Sequence, residues 1–414
     1  MLTYLKVKNY KSLHNTEIRF TDFTVLVGNN ASGKSSVLQV IDFMTRSVRE
    51  DYSYILEQRG YAVSDVLSKF APPEDQTISL YSEWNFFVNG REQSIGWEME
   101  IACNIQENSM RLFRERIFDL KRGMDFLYYG AMDSEKALTV GEPDGKRREY
   151  PHMPLTSSAM KVALDTSDET EQQNLPILVT FKKYLTSSCS YDLLSPDEMR
   201  QSSRGFVTSI GPSGRDLPAF IKSMKPLFKM YYMDKLHQLL GEIPLETVEA
   251  RSEGRPGWTR LEAYEKYGEK TVAISSVGMS DGMLRLLAFV AISEAEAIPC
   301  LMLMDEIENG ININYAKKLV QILKEACDTK HQQMIVTTHS TVFLDYVEAK
   351  DIVFLRRNGE TGCTEAIGML QIPGILKRLE YLYPGEVLLN MTKKERAELM
   401  LTEEMALGED EDDG

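Results

Sequence analysis

The run Gly28-Asn29-Asn30-Ala31-Ser32-Gly33-Lys34-Ser35 is a complete G-x-x-x-x-G-K-[ST] loop. It follows the apolar stretch Phe23-Thr24-Val25-Leu26-Val27 and opens into the helical pattern Ser36-Val37-Leu38-Gln39-Val40-Ile41. Such a loop works only between a buried strand and a helix N-terminus. There its glycines turn backbone N–H groups onto phosphate oxygens and the helix start adds positive potential. On this spacing Asn29, Asn30, Ala31, Ser32, Gly33 and Ser36 cradle the phosphates, Lys34 reaches the β and γ groups, and the Ser35 hydroxyl ligates Mg²⁺. The expected ligand is a nucleoside triphosphate, ATP or GTP, with Mg²⁺.

At 414 residues the chain exceeds the size at which single cores usually divide, so one nucleotide-binding core with a sizeable insertion is expected. Hydrophobic residues make up 43% and charged residues 26%, as in ordinary globular proteins. No apolar run reaches the roughly eighteen residues of a membrane span, and residues 1–7 read as a strand and not a signal peptide, which predicts a cytoplasmic protein without membrane attachment. The five cysteines form no C-x-x-C pair and read as free thiols. The formal charge is −15, but Glu403, Glu404, Glu409, Asp410, Glu411, Asp412 and Asp413 supply seven acids near the end, leaving about −8 elsewhere. That balance gives no global electrostatic case for nucleic-acid binding, although a local basic groove would allow it.

Residues 1–45 read strand, turn, strand, loop, helix, with helical character to about Phe70. After Ala71-Pro72-Pro73, alternating runs at residues 77–82 and 95–102, joined through Asn89-Gly90, predict an antiparallel subdomain. Residues 107–265 read as a mixed, mainly helical insertion, with a polar tract from Asp165 to Glu171 and a helical stretch from Leu217 to Leu240. Order resumes with the helical run Met283–Val290, the buried strand Cys300–Met304, a helix from Ile313 to Cys327, and the strands Gln333–Thr338 and Ile352–Leu355. Strands alternating with helices imply a mostly parallel sheet with its ligand at the strand C-terminal ends. The expected division is 1–106 and 266–392 as the two parts of the core, 107–265 as the insertion, and 393–414 as a terminal helix from Lys393 to Leu407 with an acidic tail.

The strand Leu301-Met302-Leu303-Met304 ends in Asp305-Glu306. Alone, an Asp-Glu pair merely starts a solvated helix. After a phosphate loop and a buried strand it reads as a Walker B element, with Asp305 holding Mg²⁺ and Glu306 orienting or deprotonating the attacking water. His339 closes the next strand, where a lone histidine is ordinarily a hydrogen-bonded turn residue and here takes the place of a γ-phosphate sensor. Met279-Ser280-Asp281-Gly282-Met283 precedes a helix; read alone, Ser280-Asp281-Gly282 is a helix-start turn.

The order of phosphate loop, long insertion, Ser280-Asp281-Gly282, Leu301 to Glu306 and His339 resembles ABC-type ATPases of the SMC, RecF and OLD class, and more narrowly the AAA15/AAA21-type ATPases of bacterial defence loci. Leu5-Lys6-Val7-Lys8-Asn9-Tyr10-Lys11-Ser12-Leu13 is similar to that class's opening, and Tyr191–Pro196 with Gly211–Leu217 to its insertion. The resemblance implies an α/β P-loop NTPase with an ABC-type head, a mostly parallel sheet plus an antiparallel β subdomain, and an α-rich insertion. It implies that Ser280, Asp281 and Gly282 form a signature loop capping the γ phosphate held by a second subunit, so that a homodimer or larger homo-oligomer sandwiches ATP and hydrolyses it. Asp281 departs from the Gly-Gly pair of transporters. Gln58 and Gln76 are glutamine-loop candidates that read alone as surface residues, and Asn312 either touches the opposite subunit or caps a helix. The resemblance points to the sensor or scaffold of an anti-phage system with a separate effector protein. The alternative is a DNA-repair or recombination ATPase that clamps DNA, with Lys6, Lys8, Lys11 and Arg19 on a phosphate-binding face.

Overall fold

The computed structural model describes residues 1–391 except 131–135, 142–146, 152–153, 168–171, 192–194, 253, 255 and 297–298. Residues 168–171 of the polar tract, the Asp192–Leu194 part of the insertion resemblance, and the expected terminal helix and acidic tail lie outside the described residues.

The strands β1 (Leu2–Lys8), β2 (Thr16–Arg19) and β3 (Phe23–Val27) precede helix α1 (Lys34–Ser47). Then come β4 (Thr77–Val88), β5 (Arg91–Asn104), β6 (Ser109–Asp119), β7 (Asp125–Gly130), β8 (Lys136–Gly141) and β9 (Arg147–Pro151). All of these except β3 form one antiparallel sheet in the order β2-β1-β4-β5-β6-β7-β8-β9. The Asn89-Gly90 turn joins β4 to β5 as expected. The sheet continues past residue 106, however, so the region from 107 opens with four strands before its helices. Helix α2 (Pro176–Thr186) closes over the sheet, with Phe181 stacked on Phe86 at 5.4 Å and against Trp84 at 5.6 Å.

Beyond it lie β10 (Cys189–Tyr191), β11 (Ser203–Arg204), α3 (Leu217–Ser223), α4 (Pro226–Leu239), β12 (Leu245–Ser252), β13 (Trp258–Tyr267) and β14 (Lys270–Ser275). Strands β11 to β14 make a separate antiparallel sheet, and the boundary expected after residue 265 falls inside β13. The chain then runs through α5 (Asp281–Ser293), β15 (Leu301–Met304), α6 (Ala316–Lys330), β16 (Gln333–Thr338), β17 (Ile352–Arg357) and β18 (Thr364–Gly368).

The central sheet has the order β10-β15-β16-β3-β17-β18 and is parallel except for β18. Its inner strands are buried on both faces, which is why they read as continuous apolar runs and not as alternating ones. Leu26, Leu301, Leu303 and Ile335 face the core shared with α1 and the antiparallel sheet. Val25, Met302, Met304 and Val336 face the core under α4, α5 and α6. The three neighbours β15, β16 and β3 end side by side, in register at Met304–Val336 and Thr338–Val27. Convergence of the loops that follow them is therefore a property of the topology.

Gln333, buried, ties the two sheets together. Its amide nitrogen donates to Leu2 O (2.6 Å) and Thr21 O (3.0 Å), and its oxygen accepts from Leu2 N (2.7 Å). Gln333→Met keeps the length but strands three backbone groups, and is expected to cost about 3 kcal/mol, measured as a lowered midpoint in denaturant. All five cysteines are free. Among the described residues no helix is long and apolar enough to cross a membrane.

Candidate nucleotide site

The phosphate loop leaves β3 at Val27 and enters α1 at Lys34, with Gly33 as the helix N-cap in the left-handed region at φ 102°. No side chain caps α1 and no acid occupies its first turn, so its N-terminal amides remain available to an anion. The loop rests on a floor supplied from far along the chain. Thr364 Oγ1 donates to Ser32 O (3.0 Å) and meets Ser12 Oγ (2.7 Å), while Thr364 N donates to Ser12 O (2.8 Å). A Cβ on Gly33 would lie 2.3 Å from Thr364 Oγ1.

Lys34 is buried and donates to Gly28 O (2.9 Å) and Asn29 O (3.0 Å), which holds its ammonium across the mouth of the loop. Burial lowers its pKa, and the nearby carboxylates of Asp305, Glu306 and Glu308 oppose that shift. The Ser32 hydroxyl is buried without a hydrogen-bond partner, as suits a loop whose remaining partner is a ligand.

A cleft of about 580 Å³ gathers Asn30 to Ser36, Asp305, Glu306 and His339, a size typical of small-molecule sites. Asn29 contributes its carbonyl to Lys34. At the acid pair, Thr337 Oγ1 donates to Asp305 Oδ1 and accepts from Glu306 N (2.8 Å). Glu306 has φ 49°, a conformation that costs a non-glycine residue about 1 kcal/mol. Its carboxylate accepts from Asn309 Nδ2 (3.3 Å) and lies 3.9 Å from His339 Nε2. The backbone N–H of His339 donates to Glu308 Oε1. Ser35 and Asp305 bring hard oxygen donors into the same cleft, the donor type that Mg²⁺ takes alongside phosphate and water.

Ser280, Asp281 and Gly282 are not in this cleft. Ser280 Oγ caps α5 by accepting from Met283 N (3.2 Å), and Asp281 pairs with Arg200. The first is a helix-start cap; the second is a tertiary ion pair that, with Arg200 also donating to Met279 O (3.1 Å), holds this segment against residue 200. The segment is nonetheless fastened to the turn after the acid pair. A Cβ on Gly282 would lie 2.3 Å from Gly310 O, and the buried Arg285 donates to Asn309 O (2.7 Å).

Gln58 bonds to Tyr54 and Gln76 to the Pro73 carbonyl, so neither glutamine-loop candidate lines the cleft. Asn312 caps the turn before α6 through Asn314 N (3.0 Å) and is exposed. The sequence reading missed the cleft wall formed by Lys69, Phe70 and Arg357, in which Arg357 lies over the Phe70 ring at 4.9 Å. It also missed Thr337 and Thr364. A threonine doublet ending an otherwise apolar strand was the available signal for Thr337; Thr364 had none.

Fold and site together define an ABC-type ATPase. The family described as "AAA ATPase domain" matches residues 1–153, and that described as "AAA domain, putative AbiEii toxin, Type IV TA system" matches residues 165–345. Together these two matches span most of the chain and make it an ATPase, and its fold is similar to that of SMC heads. A crystallised Smc head bound to the C-winged helix domain of ScpA is 18% identical, with a TM-score of 0.52 over 88% of this chain and 97% of that one. The Pyrococcus furiosus Smc head with an extended coiled coil, bound to the C-terminal domain of ScpA, is 16% identical with a TM-score of 0.48, over 92% and 99%. The Thermotoga maritima SMC head domain is 16% identical with a TM-score of 0.45, over 89% and 98%. No curated protein matches the chain.

Proposed function

We propose that this ATPase is a nucleotide-driven switch in which two copies close over two ATP molecules, each held between the Lys34 side of one copy and the Ser280 side of the other. The observation that carries this reading is the separation just described: Ser280 to Gly282 stand outside the cleft of their own chain, yet are fastened to the turn that follows its acid pair. Lys34 holds the β and γ phosphates, while Ser35 and Asp305 hold Mg²⁺, which when bound neutralises developing charge on the phosphates. Glu306 aligns the attacking water and His339 senses the γ phosphate. Lys69, Phe70 and Arg357 form the outer wall of the site. Contacts to the γ phosphate made only in the closed state couple the nucleotide to conformation.

In the same proposal, residues 1–106 and 266–392 carry the nucleotide-contacting parts of the switch, and the region 107–265, which shares sheets with both, connects them. We further propose a bacterial defence role with a separate effector protein; the Type IV TA description of the matching family supports the toxin–antitoxin setting alone. The DNA-clamp alternative draws little support from charge. Lys6 pairs with Glu17 (2.6 Å) and Lys8 with Asp75 (2.9 Å), Arg19 lies over Tyr4, and Lys11 bonds to Gln39 (2.6 Å).

Mixing two inactive variants tests the composite site. Lys34→Ala and Ser280→Arg chains should each fail to turn over ATP alone. Combined in equal amounts they should recover about a quarter of wild-type activity, since half the dimers are mixed and each retains one intact site. No recovery, with both variants folded and able to associate, would refute completion of the site by a second copy.

A further inference from the structure

We infer that Thr337 is a positioning residue for ATP hydrolysis, fixing the acid pair and tying it to the histidine loop. The inference rests on the proposed roles of Asp305 and Glu306 and adds a residue that neither the loop spacing nor the acid pair assigns.

The argument begins with register. Met304 pairs with Val336 in the parallel ladder, so Thr337 stands beside Asp305 where the two strands end. Its side chain is fully buried. A threonine hydroxyl has one proton to give and lone pairs to accept with, and this one uses both. The proton goes to Asp305 Oδ1 and a lone pair receives Glu306 N–H at 2.8 Å. The Thr337 carbonyl then accepts from Ile307 N (3.1 Å). One residue therefore touches three consecutive residues of the turn.

Each contact has a consequence for the site. Satisfying Oδ1 fixes the Asp305 carboxylate and leaves Oδ2 for a ligand. Holding Glu306 N–H stabilises the left-handed backbone that aims the Glu306 side chain, a conformation persisting only where surroundings enforce it. Two residues further on, His339 N–H donates to Glu308 Oε1, and the neighbouring Thr338 Oγ1 accepts from Ser340 N (3.1 Å). The acid turn and the histidine loop are thus joined from residue 305 to residue 340, and displacement of one strains the other.

Thr337→Val removes the hydroxyl with little change of shape. Turnover is expected to fall about 10- to 100-fold, with the affinity for a fluorescent ATP analogue in EDTA changed less than about threefold. The gain in analogue affinity on adding Mg²⁺, read without turnover, should shrink. Thr337→Ser restores the hydroxyl and should recover most of both signals; should the valine variant fail to fold, Thr337→Cys replaces it. Unchanged kcat and Mg²⁺ response in the valine variant, or a loss that serine does not restore, overturns the inference. The underlying reading is separable: if Glu306→Gln turns over ATP normally, the acid-pair assignment fails, whereas if that variant is dead and Thr337→Val is normal, only the role of Thr337 fails.

Discussion

Glu306→Gln should abolish ATP turnover while leaving ATP bound, and the protein should accumulate as a closed assembly that wild type forms only transiently. The substitution retains side-chain length and the backbone bond to Thr337, but removes the carboxylate that aligns water. Positioned general bases contribute about 10²- to 10⁴-fold, so a loss of at least about 10²-fold is expected in phosphate release. Nucleotide affinity should not fall, because Lys34, Ser35 and Asp305 are untouched. Size-exclusion chromatography with ATP and Mg²⁺ should then shift the variant to a larger species that disperses when ATP is removed. Glu306→Asp withdraws the carboxylate by one methylene and should retain intermediate turnover. Near-normal phosphate release by the glutamine variant would remove Glu306 from the mechanism, and loss of turnover without an ATP-dependent assembly would sever hydrolysis from the switch.

The parts of this site that were legible in the sequence are those whose chemistry is local. The phosphate loop carries its own strand, glycines and helix start within about twenty residues. Strands β15 and β16 were readable because burial on both faces makes them apolar without interruption, so that Asp305 and His339 mark where each run ends. The floor beneath the loop was not readable, because Ser12 and Thr364 meet it from opposite ends of the chain and neither belongs to a periodic pattern. The extent of the antiparallel sheet was obscured for another reason. Strand β6 contains Arg111, Arg114 and Arg116 on a polar face, and Arg114 lies 3.7 Å from both Glu98 and Glu100 of its neighbour. Charge that is compensated across strands looks, in one dimension, like a loop-rich segment. Strand β10 is only three residues long and owes its conformation to pairing with β15, a partner more than a hundred residues away.

Gly33→Ala tests that floor directly. At φ 102° the residue occupies backbone space that an alanine enters only under strain of about 1–3 kcal/mol. The added methyl would also lie 2.3 Å from Thr364 Oγ1, 2.9 Å from its methyl and 3.0 Å from Ser12 Oγ. Thr364 cannot simply retreat, because its hydroxyl and its backbone N–H hold Ser32 O and Ser12 O. The loop must therefore lift, which carries Lys34 and the N-terminal amides of α1 away from the phosphates. Affinity for ATP, measured by calorimetry, should fall about 10²-fold, equivalent to about 2.7 kcal/mol. Adding Thr364→Ala removes the colliding atoms and should recover part of that loss, although the left-handed strain stays. Wild-type affinity in the single variant would show that the loop does not rest on Thr364 in the nucleotide-bound state. A double variant no better than the single one would assign the loss to backbone conformation alone.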